Sequence, residues 1–266
     1  MQKLNEFIEI IKKAGEIFKE GYNKKLEIHS KGIKDLVTDY DVKVEKFLIN
    51  EFKSKFSDYS IIAEETTQEN FNNSIIIDPI DGTTNFAHHI PHCAISIGVY
   101  EKKEPKYAIV YNPVLNELYS AKKGEGAFKN GKKITVSNQD DFQRSLIATG
   151  FPYSSAENED DLKWVINKLK HILPRCQDIR RLGSAALDLC YVAEGKYEGF
   201  YEINLKPWDV SAGILIVQEA GGIISNEYGN DYDLFEDKCI VASNGIIHNE
   251  MVEIVSKKIN EILMIF

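Results

Sequence analysis

Apolar residues recur at helical spacing from the start of the chain. Leu4, Phe7, Ile8, Ile11, Ala14 and Phe18 alternate with Glu6, Glu9, Lys12, Lys13 and Glu16, which predicts an amphipathic first helix ended by Gly21. A second helix is predicted from Tyr40 to Phe56, because Thr38 and Asp41 stand in capping-box spacing. The period then shortens. Ser60 to Ala63 and Ser74 to Asp78 are short β-branched runs that end in acids, with the polar stretch Thr66 to Asn73 as a loop between them.

Strand then follows strand: Ala94 to Tyr100, Tyr107 to Tyr111, Glu117 to Ala121, Gly126 to Phe128 and Lys132 to Val136, punctuated by Asn112-Pro113, Gly124 and Asn130-Gly131. This reads as an antiparallel meander. Beyond Ser145 strands alternate with helices: Leu146 to Thr149, a helix near Asp160 to Leu173, a strand near Ile179, a helix from Ser184 to Glu194, a strand from Gly199 to Ile203 and a helix from Asp209 to Ala220. Gly222 to Ser225 and Cys239 to Ala242 are further strands, before a last helix from about Ile246. The division predicted is an antiparallel α+β subdomain, 1–140, and an α/β subdomain, 141–266.

At 266 residues, 43% hydrophobic and 27% charged, the composition excludes a disordered or low-complexity chain and allows a sizeable core. A formal net charge of −9 argues against direct binding of nucleic acid or of an anionic membrane. No stretch approaches the roughly 20 apolar residues of a membrane span. Cys93, Cys176, Cys190 and Cys239 show no C-x-x-C pair, so four buried thiols in a cytoplasmic protein are expected.

The candidate chemistry lies in Asp78-Pro79-Ile80-Asp81-Gly82-Thr83-Thr84-Asn85-Phe86, directly after Ile75-Ile76-Ile77. Pro79 disfavours a helix at Asp78, so the two carboxylates are placed on a turn at a strand end, where both can face one cation. The Ile80 carbonyl between them adds a hard oxygen, a donor set suited to Mg²⁺. Gly82, Thr83 and Thr84 offer backbone N–H groups to a phosphate. Glu64-Glu65 closes the preceding strand, and Trp208-Asp209 opens the apolar helix that ends at Gly221-Gly222. Taken alone, Asp209 is equally a plain helix N-cap and Glu64 a solvated strand end.

With these landmarks in order, and with Asp35-Leu36-Val37-Thr38 and Gly183-Ser184-Ala185-Ala186 beside them, the chain resembles the inositol monophosphatase family of Mg²⁺-dependent, lithium-sensitive phosphatases over essentially its whole length. The resemblance implies a layered αβαβα sandwich of the inositol monophosphatase and fructose-1,6-bisphosphatase type, a homodimer, and a phosphate monoester such as inositol 1-phosphate as substrate. It implies two to three Mg²⁺ ions: one held by Glu64, Asp78 and the Ile80 carbonyl, a second by Asp78, Asp81 and Asp209, and a third, weaker ion sharing Glu64. Gly82 and Thr83 would bind the phosphate through their amides. Thr83 would also orient the attacking water, supported by Asp41, with Glu64 as the water's ligand or proton acceptor. Glu202 and the backbone of Ala185 would contact the polyol, while Arg180, Arg181 and Lys206 flank the pocket in sequence and suit equally a second phosphate or further hydroxyls, or acids at the dimer interface.

Thr84-Asn85 departs from the Lys-Glu or Lys-Asn found there in related nucleotide-bisphosphate and histidinol phosphatases, which lowers both alternatives; a fructose bisphosphatase stays open. His88, His89 and His92 read as a surface loop rather than a zinc site, Gly124 to Phe128 as a bulged hairpin, and Asp188 equally as a substrate neighbour or a loop support. Gly150-Phe151-Pro152-Tyr153 and Arg180 to Asp188 resemble a bacterial branch that also acts in ribosomal RNA transcription antitermination. This second reading requires a protein partner in the transcription complex.

Overall fold

The computed structural model describes residues 2–24, 28–30, 36–64 and 71–257. Asp35, Glu65 and most of the loop expected before Asn73 lie outside them. Helix α1 (Gln2–Tyr22) is followed by a ribbon of β1 (Ile28–Ser30) and β2 (Leu36–Thr38), and then by α2 (Asp39–Lys55). Gly21 does not end α1. It lies inside the helix, where a Cβ would collide with the ring of Tyr40, so close packing explains the glycine. The capping box at Thr38 and Asp41 forms as expected.

The first sheet has seven strands in sequence order: β3 (Ser60–Ala63), β4 (Asn73–Asp81), β5 (Ala94–Glu101), β6 (Glu104–Asn112), β7 (Glu117–Lys122), β8 (Gly126–Lys129) and β9 (Lys132–Ile134), with the short α3 (Thr83–Ala87) after β4. It is antiparallel except for the parallel pair β3 and β4, so β5 to β9 form the expected antiparallel meander and β3 makes the whole sheet mixed. Its residues alternate in size by face. Ile95, Ile97 and Val99 of β5 join the core under α1 and α2, while Ala94, Ser96 and Gly98 take the opposite face.

The second sheet contains β10 (Leu146–Thr149), β11 (Asp178–Arg180), β12 (Gly199–Ile203), β13 (Ile223–Ser225) and β14 (Cys239–Ser243), in the order β11-β10-β12-β14-β13. It too is mixed, because β14 runs antiparallel to β12 and β13. The remaining helices are α4 (Glu159–Ile172), α5 (Ala185–Ala193), α6 (Pro207–Glu219) and α7 (His248–Ser256).

Buried apolar clusters lie between five layers. α1 and α2 cover one face of the first sheet, α5 and α6 fill the space between the sheets, and the outer face of the second sheet packs against α4 and α7. This is the αβαβα sandwich. The small residues on the inner face of β5 let α6 approach closely: a Cβ on Gly98 would meet Ser211 of α6. Helix and sheet are thereby brought together just below the end of β4.

Candidate active site

Two local rules place the acids. Side chains alternate along a strand, so Asp78 shares the inner face with Ile76 and points toward α6. Asp78 pairs with Ser96, but Asp81, not Ile80, pairs with Ala94, through a shift of register between Asp78 and Asp81. The extra residue returns Asp81 to the face of Asp78 and turns Ile80 into the outer core. Pro79, which has no N–H to give to a ladder, occupies the irregularity. The two acids therefore stand on a bulged strand, not on a turn beyond it.

Asp209 enters from the first turn of α6, two residues after Pro207. It is not the N-cap; its Oδ2 accepts the Lys206 N–H at 2.6 Å. Carboxylate oxygens of Asp78, Asp81 and Asp209 all lie within 4.8 Å of one another. Each acid is tethered by one oxygen. Asp78 Oδ1 accepts the Ile80 N–H at 3.0 Å, and Asp81 Oδ2 accepts the Ser184 hydroxyl and the Ala186 N–H. The other oxygen of each takes no hydrogen bond among the described residues. Burial pushes all three pKa values up, Asp81 to about 6, and mutual repulsion adds to the rise at Asp78 and Asp209, where Glu64 contributes.

Behind this cluster lies Asp41. Its Oδ2 is held by the N–H and hydroxyl of Thr38 at 2.8 and 2.6 Å, and its Oδ1 accepts the Thr83 hydroxyl at 3.0 Å. Burial still lifts its pKa to about 6. The Thr83 hydroxyl also lies 2.9 Å from the Ile80 carbonyl. Gly82 has φ 85°, and a Cβ there would stand 3.0 Å from the Gly183 carbonyl and 3.1 Å from that of His92, so both backbone conformation and space demand glycine. Asn85 locks the same junction, donating to His92 O at 2.8 Å and Leu182 O at 2.7 Å.

A cavity of about 880 Å³ opens over the cluster. Glu64, Asp81, Gly82, Ala185, Glu202 and Asp209 line it, together with the exposed Arg181 and Lys206. Arg180 does not line it and pairs with Asp178 at 2.6 Å. Glu202 is buried, and burial followed by the charges of Asp188 and Asp209 raises its pKa well above the usual carboxylate range. The histidines separate: His88 and His89 are exposed, whereas His92, expected on the surface, is buried with Nε2 3.4 Å from Asp188 Oδ1. Asp188 thus supports the loop after α3. The contacts of Ser184 with Asp81, of Asn85 with Leu182 and of Gly150 with Glu202 join residues far apart along the chain, where no local pattern marks them.

A model of the inositol monophosphatase family matches residues 1–260. The chain belongs to this family. It is 38% identical over 261 residues to inositol monophosphatase 3 of Solanum lycopersicum, covering 95% of this chain and 96% of that one. It is 40% identical over 247 residues to the Nus factor SuhB of Escherichia coli K12, covering 91% of each. The solved structure of Thermotoga maritima IMPase superposes with a TM-score of 0.89 at 34% identity, covering 98% of this chain and 99% of that one. Family membership supports a phosphatase, and the Asp78, Asp81 and Asp209 cluster is one that could bind a metal ion. The hairpin Gly124 to Phe128, read as bulged, joins β7 and β8, and Glu219 of α6 fixes it by accepting the N–H groups of Gly124 and Gly126, both at 2.7 Å. Three cysteines are buried; Cys176 is only half-buried.

Proposed function

We propose that the chain hydrolyses small phosphate monoesters, inositol 1-phosphate foremost, with two to three Mg²⁺ ions and a water nucleophile. One observation carries this: carboxylate oxygens of the buried Asp78 and Asp81 and the half-buried Asp209 lie within 4.8 Å of one another, and each acid has one oxygen tethered by the protein. The donor set is entirely hard oxygen, without thiolate or imidazole, which fits Mg²⁺. Asp78, Asp81, Asp209, Glu64 and the Ile80 carbonyl would hold the ions. Bound there, Mg²⁺ would neutralise phosphate charge, lower the pKa of water and stabilise the leaving alkoxide.

The protein's own groups do the positioning. N–H groups of Gly82 and Thr83 receive the phosphate, since the first N–H groups of a helical turn have no partner within it. Thr83, its proton committed to Asp41 or Ile80, offers a lone pair to a hydrogen of the attacking water, and Glu64 accepts that water's proton. Glu202 and the Ala185 backbone meet the polyol, and Arg181 and Lys206 select for charge at the mouth. The test is phosphate release from inositol 1-phosphate, fructose 1,6-bisphosphate, histidinol phosphate and adenosine 3′,5′-bisphosphate, each with Mg²⁺ and with or without lithium. Preference for the inositol ester, lost in Asp81→Asn and Glu64→Gln, supports the reading. Preference for a bisphosphate assigns selection to Arg181 and Lys206 and favours the fructose bisphosphatase alternative.

Similarity to proteins named Nus factor SuhB favours a second role, binding to a protein of the transcription machinery. The net charge of −9 points to a protein rather than a nucleic acid as the contact. Pull-down with Asp81→Asn separates the roles: recovery of RNA polymerase components by a catalytically dead protein supports it, and their absence removes it. The reading also includes a homodimer, tested by light scattering, and a cytoplasmic location, in keeping with the free thiols of Cys93, Cys176, Cys190 and Cys239. Among the described residues no helix is long and apolar enough to cross a membrane.

A further inference from the structure

We infer that Gly150 determines specificity for the leaving group, because its bare Cα is the seat of the Glu202 carboxylate; the inference rests on the phosphatase reading above. β10 and β12 are parallel neighbours with Thr149 opposite Tyr201, and the Thr149 hydroxyl donates to the Tyr201 carbonyl at 2.8 Å. The chain leaves the sheet at the next residue, Gly150, directly beside Glu202. A Cβ built on Gly150 falls onto Cδ and both carboxylate oxygens of Glu202, nearer than side chains approach one another. Alanine therefore fits only if the carboxylate moves into the cavity.

Nothing else tethers that carboxylate. Glu202 is buried and lines the cavity, yet it accepts no hydrogen bond among the described residues. A buried carboxylate is costly until a donor reaches it, and the open side of this one faces the cavity. The hydroxyl groups of a polyol are donors of the right chemistry. Because packing alone aims Glu202, the residue that shapes its seat sets where those hydroxyls must lie.

The loop that carries Gly150 is tied down on both sides of the cavity mouth, which opposes its backing away. The Ser154 hydroxyl accepts from Asn204 Nδ2 at 3.1 Å, and the same amide nitrogen donates to Asp161 at 2.9 Å. Asn204 stands two residues after Glu202. The Arg181 guanidinium lies 5.4 Å from the centre of the Phe151 ring, clasping the other side of the loop. Gly150 is thus a positioning residue, acting through Glu202 and not on the phosphate.

The experiment compares kcat/KM for inositol 1-phosphate with kcat/KM for p-nitrophenyl phosphate, which carries no hydroxyl donor, in the full-length protein with Mg²⁺. Gly150→Ala should lower the ratio of the two by about tenfold to a hundredfold, chiefly through KM for the polyol ester, as expected for a misplaced binding group. In a Glu202→Gln background the same substitution should change the ratio far less. Where Gly150→Ala folds poorly, Gly150→Ala with Glu202→Asp, whose shorter side chain clears the added methyl, should recover the melting temperature. An equal loss on both substrates, an unchanged ratio, or no recovery by the shorter acid overturns the inference while leaving the phosphatase reading intact. A wild-type protein that releases phosphate from p-nitrophenyl phosphate but not from any polyol ester overturns the inference and the choice of inositol 1-phosphate together, whereas release from neither overturns the phosphatase reading itself.

Discussion

The hydroxyl of Thr83 lies 3.0 Å from Oδ1 of Asp41, whose other oxygen is fixed by both donors of Thr38. The capping box that starts α2 therefore also sets the direction of a hydroxyl at the end of β4. If this contact aligns the attacking water, Thr83→Ala and Asp41→Asn should each lower kcat roughly a hundredfold, the lower range for a positioned proton-transfer group. The double variant should be hardly worse than either single one. Multiplicative losses in steady-state kinetics would show that the two act separately. Asp41→Asn should also melt earlier, since it weakens the cap, a loss of about 1 kcal/mol.

This junction also shows what the sequence can and cannot display. Thr38 and Asp41 are three residues apart, and a capping box is local, so their pairing was legible. The same holds for Asp78 and Asp81 as neighbours and for β5 as a strand. The bulge was not legible, because Pro79 reads as the end of a strand, and only the pairing with β5 reveals that the ladder resumes at Asp81. Gly21 carried the signal of a helix stop, but its reason is the ring of Tyr40. Ser184 on Asp81 and Glu202 against Gly150 are contacts across the sandwich, and periodicity says nothing about partners that distant.

Cation removal should destabilise the protein in a pH-dependent way. Asp41 and Asp81 have pKa values raised from 3.8 to about 6, and Asp78 and Asp209 are raised as well. A carboxyl group raised in the folded state lends stability that is complete below its unfolded value and lost as pH rises through the folded one. Chelator-treated protein should thus melt at progressively lower temperature from about pH 4 to pH 7. Mg²⁺ at a hundred times its Kd should restore about 2.7 kcal/mol, or roughly 5–10 °C for a chain of this size. Calorimetric melts with and without Mg²⁺ check this; coincident curves at pH 7 would contradict the metal assignment.

Mg²⁺ binding should also release protons. Near pH 6 Asp81 is about half protonated if its pKa lies near 6, and burial and neighbouring carboxylates raise Asp78 and Asp209 as well. Ligation requires the ionised form. Titration calorimetry in two buffers of different ionisation enthalpy should therefore report more protons released at pH 6 than at pH 8, with apparent affinity rising over the same interval. Asp209→Asn should reduce the release. Equal heats in both buffers at pH 6 would mean that the ion binds elsewhere.

Far from the cavity, His248 gives the opposite pH dependence. Its Nε2 lies 2.8 Å from Ser225 Oγ and its Nδ1 2.9 Å from Ser243 Oγ, all three residues being buried. The Ser225 hydroxyl donates to the Asn226 carbonyl at 2.8 Å, so it accepts from Nε2–H and leaves Nδ1 to accept from Ser243. Both ring nitrogens are satisfied in the neutral form, and burial lowers the pKa below 6.5. A histidine with a lowered folded pKa keeps its full contribution above 6.5 and loses it as pH falls through the folded value. The difference in urea midpoint between wild type and His248→Gln should therefore shrink as pH falls from 7 toward 5, even as the carboxylates pull the apo protein the other way. A difference that stays constant with pH would show that the Ser225, His248 and Ser243 chain carries no proton-linked stability.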